Sequence, residues 1–255
     1  MKRWQAFIEE IEKAQVRLKF QEGEECFFRG HADSQWELLP TLLRHSKKAG
    51  LNKEQLRSLE ADLFFEFQAR ARDLHQQGLS GWDVLQFMRH HGVATRLLDW
   101  TEVFGVALYF AVNSINQGAV PCIWLLNPYR LNEHEDSWEL RDLVAPEYLG
   151  GKEEWDYSDF MTDFNDLDFG WDHPVALYPV QRNARLQAQR GYFTIHGDIV
   201  EPLDKINPKV VQQVKVPKEI FPDAEKFLSM AGINDYSMFP DLDGLARDLH
   251  RKNRI

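Results

Sequence analysis

His90-His91-Gly92-Val93-Ala94-Thr95-Arg96-Leu97-Leu98-Asp99-Trp100-Thr101 packs two imidazoles, two hydroxyls, a guanidinium, a carboxylate and an indole into one short run. Gly92 is a good helix terminator, so a helix capped by Ser80 and running over 82–91 is expected to end there. Residues 95–100 then predict a short extended or turning piece, anchored in the core by Leu97 and Leu98. Thr101 predicts an N-cap for a helix reaching about Asn113. Free N–H groups at such a helix start favour an anion beside Asp99 and Thr101. A plainer reading of the same residues is that Asp99 and Thr101 only cap and that Arg96 pairs with Asp99.

Working outward, 25–30 (ECFFRG) reads as a short buried strand. Leu56, Leu59, Leu63, Phe64, Phe67, Ala71 and Leu74 mark one face of a long helix ending near Gly78. Trp4, Phe7, Ile8 and Ile11 predict an opening amphipathic helix. Further strands are expected at 119–126, 175–180, 191–196 and 210–216. Helices follow from Pro217 to Gly232 and over 242–252. This irregular order fits α+β better than a βαβ alternation: one compact domain over 1–255.

The 255 residues are 44% hydrophobic and 27% charged, which excludes a disordered chain and a small disulfide scaffold. The longest uncharged apolar run, 103–113, is too short to span a bilayer. Acids interrupt the N-terminal segment where a signal peptide needs an apolar core, and Cys26 and Cys122 fit reduced thiols, so a cytoplasmic protein without a membrane partner is expected. The net charge of −10 is uneven: residues 131–172 hold 14 acids against two bases, leaving the rest of the chain at +2. This acidic, aromatic-containing stretch reads as an insertion packed on the body. Its acids could cover a pocket, mimic nucleic acid or take a basic protein partner.

Arg29, between apolar Phe28 and Gly30, is well placed to offer its fork to phosphate or carboxylate at a pocket mouth, or to form a structural ion pair. Gly30 admits a ligand or another backbone. Adjacent histidines project differently on a helix and neither cysteine has a partner at ligand spacing, so no metal is expected. In 185–197, Gln187 and Gln189 share a face if the strand starts early, and His196 could face a pocket. Asp241, after Phe239-Pro240, suits the cap of the last helix.

With 27–30 (FFRG), 36–44 (WELLPTLLR), 90–101, 107–111 (ALYFA) and 239–244 (FPDLDG) in this order, the chain resembles the FRG-domain proteins. His31 stands where that family often has Gln, and His91 where it often has Tyr. A more distant resemblance is to ADP-ribosyltransferases, carried by Arg29-Gly30 and by Thr101 ahead of the Ala- and Phe-containing 107–111. It implies a mixed-sheet core and NAD as substrate. Arg29 would bind pyrophosphate, Thr101 would shape the ribose site, and Tyr109 or Trp100 would wall the nicotinamide. Gln187, Gln189 and Glu219 are the candidates for the position where such enzymes place a glutamate, Gln189 being the one taken as catalytic, and Gly30, His91, Thr95, Arg96 and Asp99 would line the nucleotide. The implied function is an NAD- or nucleotide-directed enzyme, as a toxin-like or phage-defence effector, with nucleic acid open as acceptor. The alternative is a non-catalytic module recognising a nucleotide or protein through the same pocket.

Overall fold

A computed structural model describes residues 2–71, 79–113, 118–133, 142–149, 155–162, 171–179 and 184–253. Its first half runs α1 (Lys2–Leu18), β1 (Phe27–His31), α2 (Thr41–Ala49), α3 (Lys53–Ala71), α4 (Gly81–His90), β2 (Leu97–Thr101), α5 (Phe104–Asn113), β3 (Cys122–Leu126) and α6 (Pro128–Asn132). The second half adds α7 (Tyr157–Thr162), β4 (Val175–Leu177), α8 (Ala184–Gln189), β5 (Gly191–Ile195), α9 (Leu203–Ile206), β6 (Val211–Lys215), α10 (Phe221–Met230), α11 (Asp235–Met238) and α12 (Leu242–Asn253). The expected helix end near Gly78 and the strand end at Val180 lie outside the described residues.

The six strands form one sheet in the order β4-β5-β2-β1-β3-β6. All five neighbouring pairs are antiparallel, and among the described residues parallel pairing is confined to the isolated bridge Val144–Leu177. The mixed sheet implied by the transferase resemblance is therefore corrected to an antiparallel one with helices on its faces.

Of the two conformations expected for 95–100, extended or turning, the structure has the extended one, and it forms the central strand β2. Its side chains alternate: Leu97, Asp99 and Thr101 point to one face, Leu98 and Trp100 to the other. On the first face two apolar cores stand side by side. One gathers Phe28, Ile123 and Leu125 under α1, α5 and α10. The other gathers Leu97, Phe193 and Ile195 under α3, α4 and the side chains of Leu149, Tyr157, Phe160, Met161 and Trp171. The opposite face buries Phe27, Leu98, Trp100 and Trp124.

Helix ends follow local chemistry. Ser80 caps α4, its side chain accepting from Asp83 N while the Asp83 carboxylate accepts from Ser80 N. Gly92 follows at φ +81°. Asp241 Oδ1 accepts from Gly244 N at the start of α12. Thr101 does not cap α5, which starts three residues later: its Oγ1 accepts from Val103 N at 3.0 Å and donates to the Gln189 carbonyl at 2.7 Å.

In the acidic stretch the described aromatics Tyr157, Phe160 and Trp171 are buried, whereas Tyr148 and Trp155 are exposed. Trp138, Phe164 and Phe169 lie outside the described residues. Not every acid faces water: the Asp156 carboxylate accepts from Gly81 N at 2.7 and 2.9 Å, holding the start of α4.

Candidate functional site

β1 and β2 are in register at only one pair, Phe28 opposite Thr101. Beyond it the two strands part, and a cavity of about 600 Å³ opens there, in the seam between the two cores. Arg29 lies in this gap. Its Nη1 donates to the Asp99 carbonyl at 2.6 Å and lies 3.4 Å from Asp99 Oδ2. A strand carbonyl that lacks a ladder partner is thus satisfied by a guanidinium. The Arg29 Nε–H donates to His31 Nε2 at 3.0 Å. Burial, helped by the charge of Arg29, pushes His31 down to about 2, so the imidazole stays neutral and able to accept.

Asp99 is the hub of the cavity. Arg89, from the last turn of α4, donates Nε to Asp99 Oδ1 at 3.1 Å and Oδ2 at 3.0 Å, and its Nη2 donates to Oδ2 as well. Burial alone would raise this carboxyl. The Arg89 and Arg29 charges overcome that and hold it well below the usual carboxylate range. A carboxylate so held is a weak base. Burial pulls the Arg29 guanidinium down to about 10, against the opposing pull of Asp99. Arg185 on α8 closes the third side, Nη1 donating to the His90 carbonyl at 3.3 Å. Among the described residues the lining charges are thus Arg29, Arg89 and Arg185 against the single acid Asp99, a surplus of two positive charges.

Gly30 is required by packing. A Cβ there would overlap the Ala107 carbonyl oxygen and lie 2.7 Å from Ala111 N, so α5 rests on β1 backbone against backbone. Of the two roles expected of this glycine, the structure uses close approach of another backbone.

Arg29, Gly30, His91, Asp99, Trp100, Thr101 and Gln189 all border the cavity. Trp100 brings no ring to it, because its indole is 2% exposed on the opposite face and donates to Thr194 Oγ1 at 3.0 Å. Thr101 and Gln189 are joined as described, and Gln189 Nε2 donates to the Met238 carbonyl at 2.9 Å. Both are held by structural bonds. Gln187 and Gln189 lie on helix α8, not on an early-starting strand, because Leu186 must fold back over Gly191, where a Cβ would meet its Cδ1 at 2.5 Å.

Three expected site residues lie elsewhere. Arg96 is fully enclosed and pairs with Glu60 at 2.7 and 2.5 Å, while its Nη1 donates to the His196 and Gly197 carbonyls at 2.9 Å. It does not pair with Asp99. Thr95 is 1% exposed, and its carbonyl accepts from Leu42 N. Tyr109 is buried, its hydroxyl donating to Asp235 Oδ1 at 2.5 Å. His196 is likewise buried, away from the cavity.

Sequence reasoning missed Arg89, Arg185, Gln86 and the aromatic wall of Trp36, Phe110 and Phe193. Arg89 had a signal: it directly precedes the His90-His91-Gly92 helix end. Trp36 opens the 36–44 motif, but nothing local shows that it borders the gap beyond Arg29.

No curated protein and no solved structure matches this chain. The model of the FRG domain family matches residues 24–119, a span that contributes Arg29, Trp36, Arg89, Asp99 and Phe110 to the cavity, while Arg185, Gln189 and Phe193 come from beyond it. The Phe-Arg-Gly strand, whose arginine fills the parting of β1 and β2 and whose glycine seats α5, lies within residues 24–119, the span that matches the FRG domain.

Proposed function

We propose that the cavity binds a nucleotide through its phosphates, and that NAD is its ligand. The observation that carries this reading is the convergence of Arg29, Arg89 and Arg185 on one cavity where Asp99, the one acid among the described lining residues, is already paired with guanidiniums. A part-buried surplus of two positive charges suits a pyrophosphate dianion, and guanidinium forks match its oxygens. Trp36, Phe110 and Phe193 supply apolar surface for a base or a nicotinamide ring. The volume lies within the range of small-molecule sites.

Recognition is favoured over turnover. Breaking the nicotinamide–ribose bond develops positive charge on the sugar, which a free carboxylate would stabilise. Asp99 spends its charge on two guanidiniums, and Gln189 offers an amide. The second reading, ADP-ribosyl transfer, has one observation in its favour: 43% of the Asp99 side chain remains exposed. Consumption of NAD would fit a toxin-like or phage-defence effector.

Incubation with labelled NAD and cell lysate separates the readings. Binding without nicotinamide release supports a recognition module. Release with label transferred to protein or nucleic acid supports the enzyme. Neither binding nor release at millimolar NAD removes the NAD assignment.

A further inference from the structure

The 239–244 motif (FPDLDG) lies outside the matched family span, yet it reaches the cavity wall. Phe239 follows α11, which is fastened at its start: Asp235 Oδ1 accepts from the Tyr109 hydroxyl on α5 and from Arg251 Nη2 on α12 at 3.2 Å. Gly244 lets α12 close over the Phe239 backbone, where a Cβ would collide with the Phe239 carbonyl oxygen. The Phe239 ring is therefore held from two sides before it meets the cavity.

Three groups meet that ring. Phe110, a cavity-lining residue, stands edge-on to it at 6.0 Å between centroids. The Arg185 guanidinium carbon lies 4.6 Å from its centroid, and that of Arg247 lies 4.7 Å away. The adjoining Met238 carbonyl accepts from Gln189, at the other end of α8. Helix α8 is only six residues long and has little stability of its own. Residues 238 and 239 thus grip both of its ends.

We propose that Phe239 is a positioning residue for the cavity, seating the Arg185 guanidinium so that its charge is presented to a ligand. The inference rests on the reading of the cavity as a phosphate site. Arg185 is drawn electrostatically toward Asp99. Arg89 and Arg29 already engage that carboxylate. The quadrupole of the ring offers Arg185 a competing seat. Without the aromatic face, Arg185 shifts toward Asp99, and the cavity loses part of its hold on an anion.

The test uses the full chain with Phe239→Leu, Phe239→Tyr, Arg185→Ala and the Phe239→Leu/Arg185→Ala double variant, each checked for an unchanged thermal melt. NAD and inorganic pyrophosphate are titrated by calorimetry, and the Arg185 Nε–H is followed by NMR for its ring-current shift. Phe239→Leu is expected to weaken binding about three- to tenfold and to abolish the shift, with Phe239→Tyr retaining both. The double variant should bind no more weakly than Arg185→Ala alone. If Arg185→Ala weakens binding but Phe239→Leu does not, or if the two losses add, the positioning role is overturned while the phosphate reading stands. If the wild type binds neither probe, the phosphate reading falls. An Arg185 shift that is the same in Phe239→Leu overturns the seating itself.

Discussion

Arg96→Met separates a structural arginine from a ligand-binding one. The Arg96 guanidinium is 2% exposed and Glu60 4% exposed, and the pair is joined by two parallel hydrogen bonds. The Tyr157 hydroxyl also donates to the Glu60 carboxylate, at 2.5 Å. Removing Arg96 leaves the buried Glu60 carboxylate without its bidentate guanidinium and strips a donor from the His196 and Gly197 carbonyls. Breaking such a buried pair from one side costs about 3–5 kcal/mol. For a chain of this size, that lowers the melting temperature by about 6–20 °C. Calorimetric melting and urea titration read the loss. The Glu60→Leu/Arg96→Met double variant is expected to recover part of it, since an apolar replacement removes both buried charges together. NAD affinity of folded Arg96→Met should stay within about twofold of wild type, because Arg96 does not border the cavity. A melting temperature lowered by less than about 2 °C would refute the energetic argument. A large affinity loss in folded protein would restore Arg96 to the site.

Gly30→Ala should cost at least about 2 kcal/mol and separate α5 from β1, measured as a lowered urea midpoint; wild-type stability would show that the backbone contact is not needed. His31 and His196 are held down to about 2 and about 3 by burial, so below their ordinary value near 6.5 the unfolded chain takes up protons that the folded chain refuses. Stability should therefore fall as pH falls through 6.5, by about 1.4 kcal/mol per pH unit for each histidine. His31→Gln should flatten part of that slope in urea melts run between about pH 7 and 5, and an unaltered slope would remove His31 as a cause.

The parts of this molecule written in local chemistry were readable from its sequence. Ser80, Gly92 and Asp241 act at helix ends because capping depends on a few neighbouring residues. The seam between Arg29 and Asp99 was also legible, since each ends an apolar element with a polar group. What escaped was long-range pairing. Arg96 and Arg89 both lie near Asp99 in sequence, and only the packing of α4 against β2 decides that Arg89 reaches it. Tyr109 looked like a nicotinamide wall until Asp235, 126 residues away, claimed its hydroxyl. Asp99 is why 95–100 read as either extended or turning: a charged residue suits a central strand only once its partner guanidiniums are known.

The central claim is that this cavity holds phosphate through its arginines. The most direct test is calorimetric titration of NAD into wild type and Arg29→Ala at two salt concentrations. Wild type should bind, more weakly at high salt, and Arg29→Ala should lose about ten- to a hundredfold, the cost of one charge-assisted contact. Arg29→Lys should recover only part, since an ammonium lacks the fork. No heat from wild type at millimolar NAD, or an affinity unchanged in folded Arg29→Ala, would contradict the account.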